Sequence, residues 1–160
     1  MSRTKKSIKL FLTDCDGCLT DGGMYYGENG DEYKKFSAID GMGFQLLREK
    51  GILTGIITSE ETKIVERRAR KLKVDFLKQG VKDKLKVVEE ICKENGIDMD
   101  EVAYVGDDIN DYDAIKSVGY GCCVNNAVEK IKRNSIYISA KTGGSGAVRE
   151  IIDWILADDN

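Results

Sequence analysis

Asp14 and Asp16 stand two positions apart in "TDCDGCLTDGG" (13–23), a stretch that also holds Gly17, Gly22 and Gly23. Carboxylates that close raise the cost of ionising one another, which is useful where one must attack as an anion while the other carries a proton. A second acidic group, Asp107 and Asp108 with Asp111 one turn on, follows the apolar run "VAYVG" (102–106). Both groups sit where a buried strand would end, the edge at which open α/β sheets bind ligands. Carboxylates converging from two strand ends need a cation among them, and oxygen ligands without His or Cys select a hard one such as Mg²⁺. Thr58, closing "ILTGIIT" (52–58), and Lys84, near a helix start, add a hydroxyl and an ammonium that can hold phosphate oxygens beside a helix N-terminus. A plainer role competes for each: an aspartate can cap a turn, Thr58 can end a strand and Lys84 can lie on a solvated helix face.

The elements that must position these residues follow from periodicity. Strands are expected at 7–13, 52–58, 74–79, 102–108, 119–124 and 136–138. Helices are expected from Asp40, as a cap, to Lys50, and at about 60–72, 82–95, 110–116, 127–133 and 146–156. "GGMYYGENGDEYKKF" (22–36) reads as a β-hairpin turning at Gly27–Gly30. Strands alternating with helices at this spacing predict βαβ units: an α/β fold, Rossmann-like, with a doubly wound parallel sheet covered on both faces. No linker or repeat divides the 160 residues, so one domain over 1–160 with a hairpin insertion at about 22–36 is expected.

Composition excludes several function classes. With 41% hydrophobic and 33% charged residues the chain is that of an ordinary globular protein, and a net charge of −3 dispersed along it gives no footprint for nucleic acid or an anionic membrane. No apolar run approaches the ~20 residues of a membrane span, and "MSRTKKSIKLFLT" lacks the features of a signal peptide, so the expected address is the cytoplasm. The absence of histidine removes Ser-His-Asp and Cys-His hydrolases and histidine zinc sites. Of the five cysteines, Cys15 and Cys18 spell C-x-x-C, with Cys122 and Cys123 further on; without a helix starting at the motif they read as small buried residues.

"DCDGCLTDG", "IITS", "DKLK" and "GDDIND", in this order, resemble the four motifs of the haloacid dehalogenase superfamily of phosphohydrolases. The resemblance implies that Asp14 is a nucleophile that becomes an aspartyl phosphate. It implies that Asp16 is the general acid/base, that Thr58 and Lys84 bind phosphate, and that Asp107, Asp14 and the Asp16 backbone carbonyl hold Mg²⁺. Asp108 and Asp111 resemble supporting carboxylates near the metal and Lys84. Only the hairpin is available as a cover, with no room for a separate cap domain.

"DGGMYYGENGDEYKKFSAIDGMG", "VDFLKQGVKDKL", "VGDDIND" and "TGGSGAVRE" are similar to the small phosphatases of 3-deoxy-2-keto sugar acids, the 3-deoxy-manno-octulosonate 8-phosphate phosphatase family. That family implies a homotetramer whose hairpins pack together, with a neighbour's C-terminal glycine-rich segment closing each site. Here that segment would be Thr142 to Glu150, with Gly143 and Gly144 meeting substrate. "TSEE" departs from the pattern: Ser59 and Glu60 replace a Gly followed by Arg or Lys, and resemble the branch acting on nine-carbon acids, the 2-keto-3-deoxy-nononate 9-phosphate phosphatases. The expectation therefore leans to a nonulosonate 9-phosphate, with octulosonate 8-phosphate of lipopolysaccharide synthesis as the alternative.

The next helix bears on specificity independently of the resemblance. Arg68 falls inside the apolar arc of Ile64, Val65, Ala69 and Leu72 and needs either a structural carboxylate or an anionic ligand. Lys71 lies at the edge of that arc, roughly 16 Å along the helix from Glu60, so the two would touch different parts of an assembly. Two rivals remain at this point. A receiver domain also uses an aspartate cluster with Thr and Lys, and non-catalytic relatives attached to sialic acid cytidylyltransferases serve as oligomerisation modules.

Overall fold

A computed structural model describes residues 7–30 and 32–157; the signal-peptide reading bears in part on residues 1–6, outside the described residues. The strands, in chain order, are β1 (Leu10–Thr13), β2 (Tyr25–Tyr26), β3 (Glu32–Tyr33), β4 (Leu53–Ile57), β5 (Phe76–Lys78), β6 (Val102–Gly106), β7 (Tyr120–Cys123) and β8 (Tyr137–Ile138). Six of them form one parallel sheet in the order β5-β4-β1-β6-β7-β8, and β2 and β3 pair antiparallel. β1 and β6 are buried at every residue, as continuous apolar runs must be when both faces of a sheet are covered.

The chain begins in the middle of the sheet, runs outward through β4 to β5, then crosses back beyond β1 and runs outward again from β6 to β8. The reversal lies between β1 and β6, where open α/β sheets leave a crevice at the carboxyl ends. Register completes the arrangement: Thr13 lies opposite Ile56 on one side and Val105 on the other, so Asp14, Thr58 and Asp107 leave neighbouring strands side by side.

Six helices cover the sheet among the described residues: α1 (Ala38–Glu49), α2 (Lys63–Leu72), α3 (Lys84–Asn95), α4 (Tyr112–Ser117), α5 (Glu129–Lys132) and α6 (Ala147–Ala157). α6 packs on α1 through Ala147, Val148, Ile151, Ile152 and Ile155, an i, i+4, i+8 stripe. Asp40 does not cap its own helix: Ser37 holds that position, and the buried Asp40 carboxylate accepts the Arg149 N–H at 2.9 Å, satisfying the first turn of α6 instead. α2 starts three residues later than Glu60, because Thr62 is its cap and accepts the Val65 N–H at 3.2 Å, which leaves Glu60 on the preceding loop. α3 is capped by Asp83, so Lys84 is its first residue and lies at the end facing the crevice.

The hairpin is a shorter flap than expected, two residues in each strand, with a Thr20–Phe36 bridge at its base. Met24, Tyr25, Tyr26 and Tyr33 are exposed on it. All five cysteines are buried and unpaired, as expected of small core residues. Among the described residues no helix is long and apolar enough to cross a membrane, and no separate cap domain covers the crevice.

Candidate active site

The crevice holds a cleft of about 280 Å³ lined by Asp14, Asp16, Gly22, Thr58, Ser59, Glu60, Asp107, Asp108 and Asn110. Asp14, 6% exposed, continues β1 and donates its backbone N–H to Val105 O at 2.9 Å, locking the loop to β6. Lys84, 2% exposed, places Nζ 2.9 Å from Asp14 Oδ1 and 2.8 Å from Asp111 Oδ1. Asp111 is fully buried and uses both oxygens: Oδ1 also accepts from Tyr104 Oη at 2.7 Å, and Oδ2 accepts the backbone N–H groups of Asp107 at 2.9 Å and Asp108 at 3.2 Å. It therefore shapes the GDD loop and aims the lysine. Burial alone would pull the Lys84 pKa down, but the Asp14 and Asp111 charges outweigh it and keep the ammonium charged.

Burial, followed by the Asp111 charge, pushes the Asp14 carboxyl above the usual range, against the pull of Lys84. Asp107 is pushed up as well, by burial first and then by Asp14. A buried and a half-buried carboxyl, both with raised proton affinity, want a proton or a cation between them, and Mg²⁺ fits that donor set. Gly17 lets the loop approach: its φ is +85°, and a Cβ there would sit 2.0 Å from Asp107 Oδ2. The side-chain ligand atoms that gather within 4.8 Å are those of Asp14, Asp107 and Cys18, not the Asp16 carboxylate. Burial, then Asp107, pushes the Cys18 thiol well up, so it stays protonated and is a poor match for a hard cation. Only the Asp16 backbone carbonyl remains for the metal role expected of that residue.

The Asp16 side chain instead meets Lys34, whose Nζ lies 2.8 Å from Asp16 Oδ1 and 3.1 Å from Glu60 Oε2. Sequence reasoning passed over Lys34, although a signal was present: along Glu32–Phe36 alternate residues turn inward, so Lys34 shares a face with Phe36, which packs on the core. Asn110 was also passed over; its Nδ2 donates to Ser59 Oγ at 3.1 Å across the cleft. Thr58 and Ser59 are at the wall as expected, and Asp108 caps the turn before α4 through Ile109 N–H while lining the cleft.

Four expected substrate contacts are not brought to this cleft. Arg68 lies against the Phe36 ring, 5.3 Å from its centroid, and donates to Ser37 O at 3.0 Å, with the Asp40 charge nearby; among the described residues its buried Nε has no hydrogen-bond partner. Lys71 is exposed on α2. Gly143 and Gly144 pack on this chain's own 17–21 turn: a Cβ on Gly143 would lie 2.0 Å from Gly17 O, and the Gly143 N–H donates to Asn126 Oδ1 at 2.8 Å. Glu150 Oε2 accepts from Ser139 Oγ and from the Ala140 N–H at 2.9 Å, which ties the end of the Thr142 to Glu150 segment to the strand end before it.

A parallel sheet with aspartate, threonine, lysine and paired aspartates at its switch point is the arrangement of a phosphate-processing hydrolase, and the comparisons with known proteins agree. The chain belongs to the haloacid dehalogenase-like hydrolases, whose family model matches residues 57–152. It is a phosphoric monoester hydrolase with Mg²⁺ as its cofactor. The 3-deoxy-D-manno-octulosonate 8-phosphate phosphatase of Escherichia coli K12 is 36% identical over 151 residues, 94% of this chain and 80% of that protein. The phosphatase of the same name from Moraxella catarrhalis, solved with magnesium, phosphate and a KDO molecule, is 43% identical, has a TM-score of 0.91 and is matched over 94% of this chain and 86% of that one. A cobalt-bound Haemophilus influenzae enzyme, named as a deoxy-D-mannose-octulosonate 8-phosphate phosphatase, is 32% identical with a TM-score of 0.90, over 94% and 88% of the two chains.

Proposed function

We propose that this enzyme, working as a single domain, removes the terminal phosphate of 3-deoxy-D-manno-octulosonate 8-phosphate. The observation that carries the reading is Lys84 bridging Asp14 and Asp111 at the switch point, in a chain 36% to 43% identical to phosphatases of that substrate. Asp14 attacks phosphorus as the bond to the sugar oxygen breaks, forming an aspartyl phosphate, and the leaving alkoxide takes a proton from Asp16. Asp16 then removes a proton from water, whose oxygen attacks phosphorus and releases phosphate and the Asp14 carboxylate. Lys84 and the Thr58 hydroxyl hold the phosphoryl oxygens throughout, while Asp111 keeps Lys84 aimed. Mg²⁺, held by Asp14, Asp107 and the Asp16 carbonyl, would neutralise phosphoryl charge.

The comparisons favour the eight-carbon acid over the nine-carbon lean. One observation keeps the second reading in view: Glu60 does line the cleft, with 42% of its side chain exposed. The deciding assay is phosphate release with Mg²⁺ from octulosonate 8-phosphate, nononate 9-phosphate and N-acetylneuraminate 9-phosphate, side by side. A kcat/KM preference of at least ~tenfold, about 1.4 kcal/mol, for the eight-carbon acid is expected. The same preference for a nine-carbon acid would reverse the assignment and make Glu60 a specificity residue. A homotetramer is part of the proposal and draws support from the exposed Met24, Tyr25, Tyr26 and Tyr33 of the flap. A cytoplasmic address fits five unpaired cysteines.

A further inference from the structure

Lys34 lies in the flap stretch that resembles the sugar-acid phosphatases but is given no role by that resemblance, and its side chain is only 1% exposed. Three carboxylates surround its ammonium, Asp16 at 2.8 Å, Glu60 at 3.1 Å and Glu32 at 3.4 Å, which is more than neutralisation requires. The flap cannot slide past this point, because the Thr20–Phe36 bridge pins its base two residues beyond Lys34. The Lys34 ammonium and the Thr20 hydroxyl, the latter at 3.5 Å, both meet Asp16 at Oδ1. Oδ2 takes neither bond.

We infer that Lys34 is a positioning residue for departure of the leaving group: it holds Asp16 by Oδ1 so that Oδ2 is presented to the oxygen leaving phosphorus. The inference rests on the acid role given above to Asp16. As the Asp14 oxygen bonds to phosphorus and the bond to the sugar oxygen breaks, the proton on Oδ2 passes to that oxygen. Asp16 is left as a carboxylate whose new charge faces an ammonium already in place, so no reorganisation is needed at that moment. Glu60 holds the same ammonium from the cleft wall, making flap and wall one unit.

The test compares two leaving groups. An alkoxide from a sugar needs the proton, whereas p-nitrophenolate departs without it. Lys34→Met is assayed with Mg²⁺ on p-nitrophenyl phosphate and on whichever sugar acid phosphate the wild type turns over best. The expected result is a fall in kcat/KM of roughly ten- to a hundredfold on the sugar phosphate, with kcat/KM on p-nitrophenyl phosphate within about threefold of wild type; kcat/KM stops at departure of the leaving group, so the later hydrolysis, in which Asp16 is the base, does not enter the comparison. Lys34→Arg, which keeps the charge, should recover part of the loss. Equal losses on both substrates would reduce Lys34 to a structural ion-pair member and overturn the inference, as would an unchanged sugar phosphate rate. If thermal unfolding shows that Lys34→Met does not fold, Lys34→Gln is read by the same ratio, and a ratio equal to wild type overturns the inference there too. A wild type that hydrolyses neither substrate class would overturn the phosphatase reading and this inference together, whereas an active wild type with an unchanged ratio overturns this inference alone.

Discussion

Two ammonium groups serve one cleft, and they are held in different ways. Lys84 is the first residue of a helix, and its partners, Asp14 and Asp111, lie on loops that leave β1 and β6. Asp111 is itself held by Tyr104 and two backbone N–H groups, so every part of that network is built into the sheet edge. Lys34 comes from a two-stranded flap outside the sheet, and Glu60, with 42% of its side chain exposed, is one of its partners. The inner network is a buried frame within one sheet edge, whereas the outer one joins a separate element to the cleft wall; in the proposed mechanism the first meets the phosphoryl group and the second the leaving group.

The largest expected effect breaks the inner frame at its reacting atom. Asp14→Asn should lower kcat by at least about 10³-fold, because the amide cannot form the aspartyl phosphate, while circular dichroism shows the fold intact; substantial residual turnover would refute the covalent route. Asp111→Ala tests the frame as structure. Removing one partner of a buried charge pair costs ~3–5 kcal/mol, roughly a 10 °C fall in Tm, read by calorimetry along with lost activity. If Lys34→Met lowers Tm as much as Asp111→Ala, the contrast between a frame and a latch collapses.

The smallest effect sharpens the contrast through pH. The proton affinity of Asp14 is raised by burial and then by the Asp111 charge, and that of Asp107 by burial and then by Asp14, so in the metal-free protein they hold protons that their unfolded counterparts have already lost. The folded state therefore binds more protons than the unfolded one above the ordinary carboxylate pKa, and metal-free stability falls as pH rises through that window. Mg²⁺ must displace those protons, so its stabilising shift in Tm should grow from pH 5 to pH 8. A shift independent of pH would show that the metal does not replace protons at this pair. Chelation with EDTA should abolish phosphate release, and added Mg²⁺ should restore it.

Much of the inner frame was legible because its residues lie at the ends of strands whose apolar runs announce themselves. "FLTD", "IIT" and "VGDD" each pair a buried run with a polar terminus, and a parallel sheet brings such termini to one edge whatever the loops do. The Asp40 cap was misread because Asp is a good cap in any local context, and only the packing of α6 on α1 assigned its oxygen to Arg149. Arg68 was flagged as needing partners; that the Phe36 ring and Ser37 O meet part of that need, and leave its Nε without a partner among the described residues, depends on where the flap returns to the sheet.

The order of strands and helices, the carboxylate pairs, the places of Thr58 at a strand end and Lys84 at a helix start and the buried fate of the cysteines were determined by the sequence itself, since each depends on local periodicity or on residue type. The docking of Gly143 and Gly144 on their own 17–21 turn and the capture of Asp16 and Glu60 by Lys34 were decided only in three dimensions. The physical reason is separation along the chain: those contacts join residues 18 to more than 120 positions apart, where no local pattern records which surfaces meet and only the closure of the whole core sets the distance.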